Sequence, residues 1–226
     1  MEPETWIERR GDIELVEPVA VVGSPGLRSI GKLAMDTLIA KTKATKIADL
    51  YSTHMPSIYE TKPSYASNPT LPGIGGVIVE SGKADFPKVE FYAATAPSLI
   101  IVKGYHPNFD GQYEVALKVL DFLAENHVKK ILLAAGYGSK ERKICCAATN
   151  KEWIAEMKEK YEIDTGYKGP FMGFSGLVFG LSKRKGIEAL CLFAGTEPKE
   201  EDPEFPDKEA SDRALDKLNM ILGFNK

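Results

Sequence analysis

Cysteine is scarce and unpatterned in this chain: three among 226 residues, two of them adjacent at Cys145 and Cys146. An odd count with an adjacent pair excludes a disulfide framework, and no C-x-x-C spacing or histidine cluster marks a metal site. Histidine is equally sparse, with only His54, His106 and His127. No apolar run approaches the ~20 residues that cross a bilayer. The acidic start, Met-Glu-Pro-Glu, lacks the basic n-region of a signal peptide. There is no basic excess either: Lys and Arg total 29 against 32 Asp and Glu, for a formal net charge of -3. That balance argues against a general nucleic-acid or anionic-membrane surface. Together these absences describe a chain expected in a reducing, cytoplasmic setting, with no cofactor or metal to assign.

What is present is 43% hydrophobic and 27% charged content, the composition of a chain that packs a core. Ala20-Val21-Val22, Leu99 to Val102, Ile131 to Ala135 and Ala189 to Ala194 are uniformly apolar, each soon followed by glycine: Gly23, Gly104, Gly136 and Gly195. Runs without in–out alternation mark strands buried on both faces. Helical stripes lie between them. Ile30, Leu33, Ala34, Thr37 and Leu38 share one face, and Tyr113 to Ala124 follow Asp110 as N-cap. Trp153, Ile154 and Met157 follow Asn150, and Leu215, Leu218 and Leu222 follow Asp207. This alternation predicts an α/β fold, a three-layer α/β/α sandwich around a mostly parallel sheet. One segment breaks the rhythm: Gly76 to Glu80, Ser81-Gly82-Lys83 and Val89 to Tyr92 read as an inserted β-hairpin. No repeat, linker or composition shift divides the chain. A single domain over residues 1–226 is expected, with its core from about 19 to 222.

Two stretches have the length and composition of functional loops: the proline-rich segment from His54 to Gly73 and the acidic one from Glu197 to Asp212. Gly26-Leu27-Arg28-Ser29-Ile30-Gly31-Lys32 fits the first seven places of a phosphate-binding P-loop, but the eighth is Leu33, which cannot ligate magnesium. The better reading is a glycine-rich strand-to-helix turn with Gly31 packed on the sheet. Ser175 in Gly173-Phe174-Ser175-Gly176-Leu177 is half a nucleophile elbow, better read as a helix N-cap. His127 ends a helix, where a cation suits the dipole. Lys183-Arg184-Lys185 reads the same way, and catalytic chemistry is not visible.

Taken in order, several phrases resemble the proteasome assembly chaperone 2 family, the PAC2-like proteins, in their archaeal form. They are Val22-Gly23-Ser24-Pro25-Gly26 with Gly31 and its helix, Leu99 to Gly104, the helix from Tyr113 to Leu123, and Ile131 to Gly138. Ser175 to Leu181, the strand ending in Thr196-Glu197, and Asp207 to Leu222 complete the series. The resemblance implies a phosphorylase/hydrolase-like α/β/α fold, no catalytic residues to transfer, self-association, and a role in proteasome ring assembly with α-subunits as partners. Some members end in a hydrophobic–Tyr–any tripeptide that docks on the proteasome α-ring. This sequence ends Phe224-Asn225-Lys226, with Asn where that tripeptide has Tyr.

Two functions stay open on the sequence. The first is a non-enzymatic, homo-oligomeric assembly chaperone, with no nucleic-acid or membrane partner. Its contacts would come from the 54–73 loop, the 76–92 hairpin and the 197–212 loop. The second is an enzyme acting on a nucleoside or anionic substrate, or a ligase of the ATP-grasp label that some relatives carry. Ligands of open α/β sheets bind beyond the carboxyl ends of the strands. Here that crevice would be formed by Ser24, Pro25, Arg28, His106, Gln112, Tyr137 and Ser139. Arg28 at a helix N-terminus would favour an anion.

Overall fold

The computed structural model describes residues 4–11, 13–56, 76–197 and 205–224. Its strands are β1 (Thr5–Arg9), β2 (Val19–Gly23), β3 (Thr45–Ser52), β4 (Ile78–Glu80), β5 (Lys83–Asp85), β6 (Val89–Thr95), β7 (Ser98–Lys103), β8 (Lys130–Gly138), β9 (Ile144–Ala148) and β10 (Glu188–Thr196). The α-helices are α1 (Ile30–Thr42), α2 (Gln112–Glu125), α3 (Lys151–Tyr161), α4 (Gly173–Ser182) and α5 (Lys208–Ile221). Eight strands form one sheet in the order β1-β3-β6-β7-β2-β8-β10-β9, and β4 with β5 makes a separate two-stranded ribbon.

The four apolar runs of the sequence are the centre of that sheet: β7, β2, β8 and β10 pair in parallel. Both flanks are antiparallel, β1-β3-β6-β7 on one side and β9 against β10 on the other, so the whole is a mixed sheet. Each central strand feeds two cores. In β2, Ala20 and Val22 enter the layer under α2 and α4, while Val21 enters the layer under α1 and α5. Cys145 and Cys146 divide the same way across β9, and both are buried. That alternation is why the runs carry no polar residue.

Helix ends follow the sequence only in part. Asn150 accepts from the Trp153 N–H and Asp207 from the Ala210 N–H, both as N-caps. Asp110 caps nothing; it sits in a 3₁₀ turn ahead of α2, whose N-cap is Gly111. The hairpin also differs from its expected extent. Ser81 and Gly82 turn β4 into β5, whereas Val89 to Tyr92 belong to β6 in the main sheet. Pro87, which brings no N–H to a ladder, lies between the two strands. His127 takes a left-handed backbone (φ 60) just past the end of α2, bonding back to Ala124. Among the described residues no helix is long and apolar enough to cross a membrane.

Candidate functional site

Because β7, β2, β8 and β10 run in parallel, their carboxyl ends deliver residues 104–112, 24–28, 137–139 and 196–197 to one end of the sheet. The turn after β2 is tightly built. Gly23 and Gly31 touch so closely that a Cβ on Gly23 would overlap the Gly31 carbonyl. A Cβ on Gly31 would stand 2.6 Å from the Ala134 carbonyl oxygen of β8. Gly31 therefore packs on the sheet, as the sequence suggests. Arg28 and Ser29 take left-handed conformations (φ 49 and 56). Lys32, the seventh place of the P-loop pattern, pairs with Asp36 at 2.9 Å one helical turn on.

The Arg28 side chain is buried and turned into the protein. Its Nε donates to the Phe205 carbonyl at 2.8 Å, and its Nη1 to Thr196 Oγ1 at 3.0 Å and the Glu197 carbonyl at 2.8 Å. The same nitrogen pairs with Asp207 Oδ2 at 3.0 Å. The Asp207 N–H donates in turn to the Arg28 carbonyl at 2.9 Å. Burial alone would raise the Asp207 carboxyl. Hydrogen bonds from Thr196 and the Ala210 N–H, with the Arg28 charge, hold it below its ordinary value. An anion does sit on Arg28, and it is the N-cap of α5.

On the other side of the turn, Ser24 Oγ and Ser175 Oγ share a buried hydrogen bond of 2.8 Å. Ser175 is thus not the N-cap of α4, which is Met172; it lies in the first turn and faces β2. The Gly26 N–H donates to His106 Nε2 at 2.9 Å. That nitrogen must be unprotonated to accept, which leaves the proton on Nδ1. Burial lowers the His106 pKa and favours this neutral form. Pro25, between Ser24 and Gly26 in the chain, is buried. Gly104 keeps space for Phe174, whose ring a Cβ there would strike.

The remaining crevice candidates scatter. Ser139 donates its N–H to the Thr196 carbonyl at 2.9 Å, and its hydroxyl accepts from the Glu141 N–H at 3.1 Å. Tyr137 joins an aromatic cluster, edge-on to Tyr167 at 6.1 Å, and burial raises its phenol pKa. Gln112 starts α2, and its side chain donates to the Pro107 carbonyl at 3.4 Å. The structure therefore gathers Ser24, Pro25 and His106 in one group and Arg28 with Ser139 around the end of β10, where the Tyr137 phenol also bonds to Ser139. Gln112 belongs elsewhere.

Two features escaped the sequence. One is a ladder of alternating charges running across β1, β3, β6, β7 and α1: Arg10, Asp49, Lys46, Glu90, Lys103, Asp36 and Lys32. Asp49 is fully buried beneath it, paired with Arg10 and with Lys46 at 3.2 Å. Burial would raise the Glu90 carboxyl, but Lys46 and Lys103 hold it below its ordinary value. The face of the sheet that α1 and α5 cover over its centre is here covered by ion pairs. At the end of the ladder a cleft of about 420 Å³ opens between Trp6, Tyr51, Met55, Val77 and Phe86. Val77 and Phe86 are exposed there.

The second is His54, which lies 3.3 Å from Glu4, 3.5 Å from Glu114 and 3.7 Å from Asp110. The Glu4, His54 and Glu114 donor atoms all lie within 4.8 Å of one another, a spacing that could hold a metal ion. The carboxylates are open to solvent, and the set ties the start of β1 to the start of α2. Most of the 54–73 loop lies outside the described residues, as do 198–204 of the acidic stretch and the last two residues.

Fold and site define a three-layer α/β protein with a mixed sheet, whose strand-end polar groups are largely bonded to one another. The chain belongs to the PAC2 family, whose model matches residues 20–225. Its structure is similar to that of Pyrococcus furiosus PbaB, an archaeal proteasome activator. The two share 27% identity over 97% of this chain and 89% of that one, with a TM-score of 0.79. Pyrococcus furiosus PbaA, an archaeal homolog of proteasome-assembly chaperone, shares the fold: 19% identity, 98% and 87% coverage, TM-score 0.71. An uncharacterized protein of Methanocaldococcus jannaschii, MJ1210, is 26% identical over 193 residues, 82% of this chain and 68% of the relative.

Proposed function

We propose that this protein is a cytoplasmic, self-associating chaperone that binds proteasome subunits through surface complementarity rather than by catalysis. The observation that carries the reading is the likeness to the proteasome activator PbaB over 97% of this chain. The state of the strand ends agrees with it. Arg28 is neutralised by Asp207, the Ser24 and Ser175 hydroxyls bond to each other, and His106 Nε2 is held by a backbone N–H. Groups engaged in this way hold the fold at the place where an α/β enzyme would keep them free for substrate.

The contact surface would be apolar, as an assembly chaperone needs for subunits whose own faces are still uncovered. Phe86, Val77 and Val79, at and beside the β4–β5 ribbon, are exposed. Of the acidic segment, Asp207 is taken by Arg28, Glu209 pairs with Arg142 at 3.0 Å, and Asp212 pairs with Lys208. Its described end therefore serves the fold. Co-purification of the full chain with proteasome α-subunits, free and in rings, tests the reading. Retention of either supports it; loss of both under mild washing overturns it.

A further inference from the structure

We propose that Glu4, His54 and Glu114 bind one divalent transition-metal ion of the zinc class, with Asp110 orienting the imidazole. The site is independent of any proteasome contact and lies apart from the groups at the strand ends.

The three ligands come from segments far apart in sequence that the fold brings to one point. Glu4 directly precedes β1, His54 stands two residues past β3, and Glu114 lies in the first turn of α2. The histidine is held on both sides of its backbone. Its N–H donates to Ser52 Oγ at 3.1 Å, and its carbonyl accepts from the Asn108 N–H at 2.7 Å. Gly111, the N-cap of α2, leaves room for its side chain: a Cβ there would stand 2.1 Å from the His54 Cβ. The Thr53 N–H donates to the Glu4 carbonyl at 2.9 Å, which ties the first ligand to the second. A histidine fixed in this way loses little freedom on binding an ion.

The distances select the ion. His54 Nε2 lies 3.3 Å from Glu4 Oε2 and 3.5 Å from Glu114 Oε2. Tetrahedral zinc, with bonds of about 2.0–2.2 Å to nitrogen and oxygen, sets neighbouring donors about 3.4 Å apart. The octahedron of magnesium sets them about 2.9 Å apart, and calcium takes oxygen donors. Both contacts match the tetrahedral edge. A single Nε2–H points at one oxygen, whereas an ion serves both. The donor atoms of Glu4 and Glu114 lie within 4.8 Å of each other, and both side chains reach solvent, free to turn inward and close that third edge. Asp110 Oδ2, 3.7 Å from Nδ1, stands on the side where a carboxylate receives the other N–H of a metal-bound imidazole.

Charge and donor type agree with this. Among the described residues no lysine or arginine pairs with Glu4, Asp110 or Glu114, so three carboxylates face one histidine. A divalent ion supplies the missing positive charge. Imidazole with carboxylates and no thiolate suits zinc rather than copper(I), and water would complete the tetrahedron. The bound ion would clip together the ends of β1, β3 and α2, beside the cleft that Thr53 and Met55 help to line.

The test uses the full chain without a histidine tag, stripped by chelator and titrated with zinc in a calorimeter. Cobalt(II) serves as the spectroscopic substitute, since its tetrahedral complexes absorb visible light far more strongly than its octahedral ones. Asp110→Asn should weaken zinc binding about tenfold. Glu4→Gln and Glu114→Gln each remove a ligand charge from an exposed side chain and should weaken it further. Glu152→Gln, an exposed acid on α3, should leave it unchanged. One zinc per chain, a tetrahedral cobalt spectrum and weakening by both glutamate substitutions support the proposal. No uptake at micromolar zinc, an octahedral spectrum, thiolate-to-cobalt absorption from the native cysteines, or binding that survives either glutamate substitution overturns it. Unchanged binding in Asp110→Asn overturns the orienting role alone.

Discussion

Arg28 joins segments as far as 179 residues apart in sequence, and the strength of that joint can be measured. Removing one partner of a buried ion pair leaves the other charge uncompensated. Arg28→Ala should therefore cost about 3 kcal/mol in urea unfolding. Arg28→Lys should recover little, since an ammonium cannot serve the directions now taken by Nε and Nη1. A loss within the error of the method would mean that the clamp is ornamental. His106 gives a second test at this scale. Burial lowers its pKa from the ordinary 6.5, so below that pH the unfolded chain binds a proton that the folded one resists. Stability should fall as pH drops from about 6.5 toward the lower folded value. His106→Gln should flatten that limb of the curve, and an unchanged slope would contradict the buried, neutral assignment. Asp207, Glu90 and Asp36 carry lowered values from ordinary ones of 3.8, 4.5 and 3.8. Their contribution is present at neutral pH and is lost only in acid, as pH falls through those lowered values. Of these roles only Asp207 as the N-cap of α5 was legible in the sequence. Arg28 reads there as an anion-binding residue, and its anion lies on a helix almost a whole chain length away.

At the scale of elements, packing distances separate glycines that must stay from those that need not. Gly31→Ala would drive a methyl against the Ala134 carbonyl of β8 and lever α1 off the sheet, for about 2–3 kcal/mol. Gly180, inside α4, meets nothing within 4 Å, so Gly180→Ala should stabilise by about 0.5–1 kcal/mol. Thermal melts of the two variants should move in opposite directions; parallel shifts would contradict the packing described. The central strands were readable because two cores bury them, and burial leaves a uniformly apolar run. β1 and β3 were not. β3 places Lys46 and Asp49 on a face closed by ion pairs, which breaks the apolar signal at its middle. A periodicity reading records where hydrophobic residues recur, and this flank is covered by charge. The hairpin was found but drawn too long, because Val89 to Tyr92 alternates like a ribbon strand while belonging to the main sheet.

For the molecule as a whole, the same asymmetry divides the two ends of the sheet. Helices cover both faces of the centre, whereas the β1 flank carries the charge ladder and an apolar cleft. The formal net charge of -3 conceals this arrangement, since the ladder sets four bases against three acids and adds only one unit of charge. Under the proposed function, the cleft and the exposed residues of the ribbon beside it would face the partner. The shape likeness to PbaB extends across both ends of the sheet. Whether proteasome subunits are that partner is decided most directly by sedimentation of the full chain mixed with proteasome α-subunits, free and in rings, at micromolar concentration. The expected result is a faster-sedimenting complex with either form, reversible on dilution. Independent sedimentation of every component would contradict the chaperone assignment.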